Sequence, residues 1–225
     1  MEEKIAYACF CTDVIHEGHR NILREAKKRG TVVAGVLSDR EMVRYNRFPA
    51  ISLEERIALL EAEPEVERVV VQDAIMYDAV IASLKPDFVV HGDNWRGGPM
   101  SLIRENVLAN LKKTGGELIE VPYTWNPAVK KIDERMRERL VMPEFRRRRL
   151  RRLLEIVPIV KTIEVHDGLT GLLAEKTVVE HEGGLDQFDA LWISSLCDST
   201  AKGKPDIELV DMSSRIRTID DVMDV

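Results

Sequence analysis

Short apolar runs alternate with amphipathic segments through the first half of the chain. The runs occupy residues 4–10, 31–37, 68–72, 88–92 and 117–123. They are continuously apolar rather than alternating, which is typical of strands buried on both faces of a parallel sheet. The intervening segments have helical spacing. Strands that alternate with helices predict an α/β protein with a doubly wound parallel sheet.

The segments between these runs contain sequence patterns that predict where helices begin and end. Helical spacing covers residues 20–29, 52–63, 77–84 and 102–113. Ser52 is followed three residues later by Glu55, the arrangement of a capping box, so a helix is expected to begin there. Gly30 and the Gly115-Gly116 pair are expected to end two of the helices.

Polar clusters follow four of the predicted strands. They lie at residues 11–19, 38–47, 92–95 and 123–127. In open α/β sheets a ligand binds outside the carboxyl ends of the strands. We therefore expect these clusters to surround a common site.

The second half of the chain has a different character. Residues 130–155 form one strongly charged helical pattern, and a new strand and helix cycle starts after residue 158. We predict a first domain at 1–132, a basic helical linker at 133–157 and a separate segment at 158–225. The arginine run in the linker indicates a solvated or docked helix rather than a nucleic-acid site, because it has no aromatic interleaving.

Composition narrows the class of protein. With 44% hydrophobic residues in 225, the chain has enough apolar material for a core, and the net charge is −6. No run of about 18 apolar residues is present, so no membrane partner is expected. Three cysteines without CxxC spacing disfavour a zinc site or a disulfide framework and favour a cytoplasmic location.

The strongest chemical signal is the segment from Asp13 to Arg20, between a predicted strand and a predicted helix. A helix N-terminus attracts phosphate through unpaired N–H groups and a partial positive charge. His16 and His19 are three residues apart and share one face of the first turn. Gly18 lets the backbone approach a ligand, and Asp13 is a candidate Mg²⁺ ligand. This arrangement suits phosphoryl or nucleotidyl transfer.

The two histidines have two other interpretations. They could be ordinary surface residues at a helix start, although the strand and helix context disfavours this. A zinc site is weaker still, because the spacing is not that of HExxH and no third ligand is evident.

The first 132 residues resemble the cytidylyltransferase-like branch of the nucleotidyltransferase superfamily. Its T-F-D-x-x-H-x-G-H element is matched in frame by Asp13, His16, Gly18 and His19 of CTDVIHEGH, and Thr12 lies one place after the family's threonine. The resemblance implies a Rossmann-like sheet of five parallel strands, catalytic His16, His19 and Asp13, and a homodimer. The nucleotide-binding positions that it implies are Cys11, Thr12, Gly18, Asp39, Arg56, Gly92, Asp93 and Trp95, with Arg56 on phosphate and Asp93 on the cytidine.

The closing motif departs from the family's pattern. Where the family has R-T-x-G-I-S-[ST]-T, this chain reads YTWNPAVKK. The arginine and the hydroxyl pair are absent. Tyr123, Thr124 and Lys130 are the nucleotide-binding candidates that remain there.

Residues 158–225 resemble the opening of phosphoenolpyruvate mutases, which are isocitrate-lyase-like barrels. The resemblance implies an incomplete barrel, because a closed one needs roughly 200–250 residues. We expect a shortened bifunctional protein without mutase activity. The positions matching the family's substrate loop are Trp192, Ser194, Ser195, Leu196 and Asp206.

These resemblances together predict an enzyme that transfers CMP from CTP to a small phosphonate, with Mg²⁺ as cofactor and release of pyrophosphate. The acceptors that they suggest are 2-hydroxyethylphosphonate and 2-aminoethylphosphonate. Two alternatives stay open: adenylyl transfer on the same fold, and a nucleotide-binding module without catalysis.

Overall fold

The structure, a computed structural model, describes residues 4–44, 48–97, 100–122, 131, 143–181 and 184–224. Five parallel strands form one sheet in the order β3-β2-β1-β4-β5. The strands are β1 (Ile5–Phe10), β2 (Thr31–Leu37), β3 (Val66–Gln72), β4 (Phe88–Gly92) and β5 (Glu117–Val121). All five predicted strands and the α/β class are confirmed.

The helices between these strands follow the predicted segments, with one addition. They are α1 (Glu17–Lys27), α2 (Asp39–Arg44), α3 (Leu53–Glu61), α4 (Asp78–Leu84) and α5 (Ser101–Thr114), and a short 3₁₀ turn covers Asp93–Trp95. The capping box is confirmed: Glu55 N–H donates to Ser52 Oγ at 3.2 Å, and Ser52 N–H donates to the Glu55 carboxylate at 2.8 Å. Helix α2 lies within the polar cluster at 38–47, for which the sequence analysis gave no helix, and Met42 and Glu41 are both buried there.

Side chains of the central strands alternate between the two faces of the sheet. Ala6, Ala8 and Phe10 of β1 join a core with Leu23 of α1 and Leu60 of α3. The residues between them, such as Tyr7, face the other side, where the Tyr7 ring meets the Tyr77 ring edge-on. Both faces of the sheet are therefore covered, as the continuously apolar strands require.

The strand order creates one topological switch point. From β1 the chain builds outward to β2 and β3 on one side, and it then returns to place β4 and β5 on the other. The connections that leave β1 and β4 diverge, which opens a crevice at the carboxyl ends of these two neighbouring strands. The residues that follow β1 and β4 line this crevice.

The second half of the chain forms a separate compact unit. Contacts between residues divide the chain into two units, with the boundary between Leu150 and Arg151 in the helix α6 (Pro143–Ile156). By the same criterion, Arg44 belongs to the second unit. The domain boundaries predicted from the sequence stay predictions. The remaining elements are β6 (Thr162–Glu164), α7 (Gly168–Lys176), β7 (Val179–His181), β8 (Gly184–Asp186), β9 (Ala190–Trp192), α8 (Ser195–Ala201) and α9 (Met212–Met223).

This second unit has a small core and much exposed apolar surface. Strands β6 and β9 pair in parallel, and Val165, Ala174 and Val222 are buried together. Large apolar side chains such as Ile159 and Trp192 are mostly exposed. Helix α7 begins at Gly168, because the Asp167 side chain accepts from Thr170 N–H at 2.7 Å and caps it. The barrel fragment stays a prediction.

Within the described ranges, helices are too short or too polar to cross a lipid bilayer.

Gly35 on β2 provides a test of the packing around Tyr7. A Cβ at this position would overlap with the Tyr7 hydroxyl and lie 2.6 Å from Cζ. Tyr7 is fully buried and its hydroxyl donates to Gln72 Oε1 at 2.6 Å, so the ring cannot move away. We expect Gly35→Ala to lower the free energy of unfolding by about 1–3 kcal/mol, measured by urea denaturation. Gly97→Ala is the matched control, because a Cβ at Gly97 meets nothing within 4 Å. Equal stability of the two variants would contradict this packing.

Candidate active site

The two motif histidines meet at the start of α1. His16 is the N-cap residue of α1, in an extended conformation, and His19 lies in the first turn. The two rings stack with 3.7 Å between centroids and 18° between planes. The structure thus brings together the pair that the sequence predicted, at the end of β1 where the crevice opens.

A backbone hydrogen bond determines the tautomer of His19. His16 N–H donates to His19 Nδ1 at 3.4 Å. A ring nitrogen that accepts cannot carry the proton, so in the neutral ring the proton is on Nε2. The Phe10 ring lies edge-on to His19, with 5.5 Å between centroids, and limits its rotation. His19 therefore presents an N–H donor.

Helix α1 adds its own attraction for anions. The first N–H groups of a helix have no acceptor within the helix, and they carry a partial positive charge of about half a unit. Here they lie beside the two imidazoles. This combination can hold phosphoryl oxygens and stabilise negative charge that develops on them.

Gly18 is required by the position of the His16 ring. A Cβ at Gly18 would lie 3.0 Å from His16 Cε1 and 3.2 Å from Nδ1. Contacts this short force the ring to move. The glycine thus keeps the stacked arrangement possible, in addition to the backbone approach expected from sequence.

Thr12 and Asp13 organise the loop between β1 and α1. Thr12 Oγ1 donates to the Val14 carbonyl at 2.8 Å and accepts from Val14 N–H. Asp13 accepts from the backbone N–H groups of Ala50, at 2.9 Å, and Ile51, at 3.4 Å. These bonds tie the motif loop to the segment before α3. Cys11 lies partly buried at the start of the same loop.

Asp13 belongs to no metal-binding cluster among the residues that the structure describes. Both of its oxygens already accept backbone N–H groups, and the described residues contain no cluster of three His, Cys, Asp or Glu side chains that could hold a metal. A magnesium role for Asp13 stays a prediction.

Arg56 and Asp39 form an ion pair at the end of β2. The Arg56 side chain is fully buried; its Nη1 donates to the Leu37 carbonyl at 2.6 Å and its Nη2 pairs with Asp39 Oδ1. The phosphate contact expected for Arg56 is not available in this arrangement, because the guanidinium is covered. Arg56 instead holds Asp39, which is the first residue of α2 and remains partly exposed.

The residues after β4 form the second wall of the crevice. Gly92 is the N-cap of the 3₁₀ turn that begins at Asp93, and both residues are partly exposed. Trp95 is 0% exposed, so the nucleoside contact expected there is also unavailable. Its indole stacks on the His91 ring, with 3.7 Å between centroids and 10° between planes. Trp95 therefore covers one face of the His91 ring.

A polar centre around Glu120, which the sequence analysis did not identify, packs against Trp95. The Glu120 carboxylate accepts from Trp95 Nε1 at 2.9 Å, from Arg104 Nε at 2.9 Å and from Arg96 Nη2 at 2.9 Å. These hydrogen bonds lower the pKa of Glu120 to about 2. The only local signal was a charged residue inside an apolar strand run, ELIEV, which invites a buried partner.

The other predicted positions are placed as follows. Tyr123, Thr124 and Lys130 lie outside the described residues. In the second unit, Ser194 caps α8 by accepting from Cys197 N–H at 3.1 Å, and Ser195 Oγ donates to Asp206 Oδ2 at 3.2 Å. Trp192 and Leu196 are exposed by 60% and 58%. Ser195 and Asp206 are thus brought together.

Comparison with known proteins gives one family and several relatives. A family model described as cytidylyltransferase-like matches residues 7–121. The bifunctional protein HldE of Desulfatibacillum aliphaticivorans is 30% identical over 123 residues, which are 53% of this chain and 24% of that protein. The FAD synthase of Archaeoglobus fulgidus is 35% identical over 80 residues, 36% of this chain and 58% of its own. The matched region spans about a quarter of the length of the HldE relatives.

Solved structures include a similar chain. The lipopolysaccharide core biosynthesis protein from Thermoplasma volcanium aligns with a TM-score of 0.46 and 21% identity, over 55% of this chain and 98% of that one.

The Glu120 centre predicts a pH dependence of stability. Its pKa is lowered from an ordinary value of 4.5 to about 2, so its stabilisation is fully present above pH 4.5 and is lost as the pH falls toward 2. A shift of this size corresponds to about 3 kcal/mol. We expect Glu120→Gln to be less stable than the wild type at pH 7, and the gap to close between pH 4.5 and 2, in urea titrations.

The control for this prediction is Glu117→Gln, which removes an exposed carboxylate from the same strand. It is expected to change stability little at any pH. A gap between Glu120→Gln and wild type that stays constant with pH would contradict the charge-based origin of the stabilisation.

Proposed function

Because the chain belongs to the cytidylyltransferase-like family, whose members are nucleotidyltransferases, we propose that it transfers CMP from CTP to a small phosphonate and releases pyrophosphate. The observation that supports this most is the stacked pair of His16 and His19 at the start of α1. It lies in the crevice where an open α/β sheet binds its ligand.

The proposed reaction is a displacement at the α-phosphorus of CTP. A phosphonate oxygen of the acceptor attacks this phosphorus, and the bond from it to the oxygen bridging to the β-phosphate breaks. Pyrophosphate leaves with that oxygen. The products are pyrophosphate and an acceptor carrying CMP through a phosphonate–phosphate anhydride.

His19 and His16 act on the charge that builds up during this displacement. The Nε2–H of His19 donates to a non-bridging oxygen of the α-phosphate, and the stacked His16 ring contacts the same group. The N-terminus of α1 adds backbone donors and a fixed positive potential. Since the donors are held before substrate binds, they need little reorganisation in the transition state.

The remaining residues hold the two walls of the crevice. Thr12 and Asp13 fix the motif loop, and Arg56 fixes Asp39 at the end of β2. Tyr123, Thr124 and Lys130 are proposed to contact the leaving phosphates, as the resemblance of the closing segment implies. Asp93 is proposed to contact the cytidine.

The phosphonate acceptor is supported by the second half of the chain. Its residues resemble the opening of a phosphoenolpyruvate mutase, the kind of enzyme that forms a carbon–phosphorus bond. The juxtaposition of Ser195 and Asp206 agrees with a remnant of that family's substrate loop. We propose 2-hydroxyethylphosphonate or 2-aminoethylphosphonate as acceptor and no mutase activity.

An adenine nucleotide is the second candidate for the donor. One relative is named an FAD synthase, and FAD contains adenine. Calorimetric titration with CTP and ATP separates the two candidates. The proposal further includes magnesium as cofactor, a homodimer and a cytoplasmic location. Analytical ultracentrifugation tests the dimer.

The catalytic pair is tested by substitution. We expect His19→Ala and His16→Ala each to slow pyrophosphate release about 100-fold or more, because the first removes the donor aimed at developing charge and the second removes the ring that stacks on it. The assay follows pyrophosphate from CTP with each of the two phosphonates. His166→Ala is the control, since this histidine lies in the second unit.

Two outcomes would count against the proposal. The first is no pyrophosphate release with either phosphonate, although CTP binds, which would favour a module without catalysis. The second is wild-type turnover in both His16→Ala and His19→Ala.

A further inference from the structure

Helix α9 (Met212–Met223) is held in one rotation about its axis by its inner face. Val222 is buried in the small core of the second unit. Thr218 is buried as well; its Oγ1 donates to Asp198 Oδ1 at 3.0 Å and accepts from Lys202 Nζ at 2.8 Å. These contacts determine which side chains of α9 face the solvent.

The outer face of α9 is an apolar stripe, which we call the α9 seam. Its members are Met212, Ile216, Ile219 and Met223, exposed by 71%, 49%, 45% and 57%. Their spacing of four, three and four residues places them on one line along the helix. This is the spacing of the two apolar positions of a coiled-coil heptad, whose side chains are normally buried against a second helix.

The charged residues of α9 are separated along its length. Arg215 and Arg217 lie in the first half, whereas Asp220 and Asp221 lie in the last turn. The C-terminal end of a helix carries a partial negative charge, so carboxylates in the last turn are unfavourable in an isolated helix. Arg217, Asp220 and Asp221 are all exposed, and a neighbouring molecule can reach them.

A second copy of α9 in antiparallel orientation matches the spacing of the seam. A two-fold axis beside the middle of the helix places Ile216 next to Ile219 of the partner subunit. The same axis places Met212 next to Met223 of the partner subunit. A two-fold contact uses the same patch on both chains, so a single symmetric stripe is sufficient to form it.

The antiparallel orientation also matches the charges. It brings the basic half of each helix against the acidic half of the other, with Arg217 within side-chain reach of Asp220 of the partner subunit. The positive N-terminal end of one helix then lies beside the carboxylates in the last turn of the other. A parallel pair would place the two basic halves at the same level.

We propose that the α9 seam is a self-association surface, through which two copies of this chain pair in antiparallel orientation. The homodimer in the proposed function has no assigned surface; this inference rests on that homodimer and supplies the surface. Two helices of 12 residues, each about 18 Å long, bury less than about 1,200 Å² in total. Interfaces of this size are weak, so the dissociation constant is expected to be micromolar.

Sedimentation velocity of the full chain from about 1 to 200 μM gives the first test. We expect the wild type to shift from monomer to dimer over this range. Ile216→Asp buries a carboxylate in the seam and should raise the dissociation constant at least about tenfold. Ile207→Asp is the control, because Ile207 is 68% exposed and lies outside α9. A wild type that stays monomeric, or an Ile216→Asp dimer of wild-type affinity, would overturn the inference.

Far-ultraviolet circular dichroism checks that the variants are folded. Ile216 is exposed, so its substitution leaves the core of the unit unchanged. If Ile216→Asp loses helix signal, Ile216→Gln takes its place, since glutamine is a good helix former.

The second test reverses the charges. Arg217→Asp places like charges together across the two-fold axis and should raise the dissociation constant about fivefold at low salt. Adding Asp220→Arg to the same chain restores the opposite charges and should bring the constant back to within about twofold of wild type. A double variant that is no tighter than Arg217→Asp would contradict the antiparallel pairing.

Disulfide trapping tests the orientation directly, with the three native cysteines replaced by alanine. Met212→Cys and Met223→Cys chains are expected to cross-link when mixed and not when each is oxidised alone. In the antiparallel pair two copies of the same position are about 16 Å apart, too far for a disulfide. Cross-linking of either variant with itself would overturn the proposed pairing.

The outcomes for α9 and for catalysis are distinguishable. A dimer that survives Ile216→Asp keeps the homodimer and removes the α9 surface. Pyrophosphate release by a protein that sediments as a monomer at every concentration keeps the catalytic proposal and removes the inference.

Discussion

The site depends on which nitrogen of His19 carries the proton, and a single backbone hydrogen bond decides this. Because His16 N–H donates to His19 Nδ1, the neutral ring places its N–H on Nε2. That bond exists only because His16 is the N-cap of α1 and His19 lies in the first turn. The residue at which α1 begins therefore also determines which nitrogen of His19 carries the proton.

The parallel sheet converts this local feature into a site with two walls. Strands β1 and β4 are neighbours, and the chain leaves their carboxyl ends in opposite directions. One wall carries His19, with a donor nitrogen suited to phosphate. The other is formed by the residues that follow β4, Gly92 and the 3₁₀ turn that begins at Asp93.

Much of this architecture could be predicted from local sequence. The five strands were evident because each is a continuous apolar run, and the His16–His19 pairing followed from their spacing on one helical turn. The capping box at Ser52 was equally local. These features depend on residues a few positions apart, which is the range over which a pattern carries structural information.

The exceptions all depend on long-range contacts. Arg56 and Trp95 were expected to face the nucleotide, and both are buried, because Asp39 and Glu120 draw their polar groups inward. Glu120 was not recognised, since its partners Trp95 and Arg104 lie on other elements that only the fold brings to β5. A side chain's residue type indicates what it can bind, but the tertiary structure decides whether a ligand can reach it.

The tautomer of His19 is the most direct test of this description of the site. It is read from long-range ¹H–¹⁵N correlations of the ¹⁵N-labelled protein, and the signals are assigned with a His19 variant. The account predicts the proton on Nε2 and a shift of that nitrogen when a non-hydrolysable α,β-methylene analogue of CTP binds. A proton on Nδ1, or a His19 ring unaffected by the analogue, would contradict it.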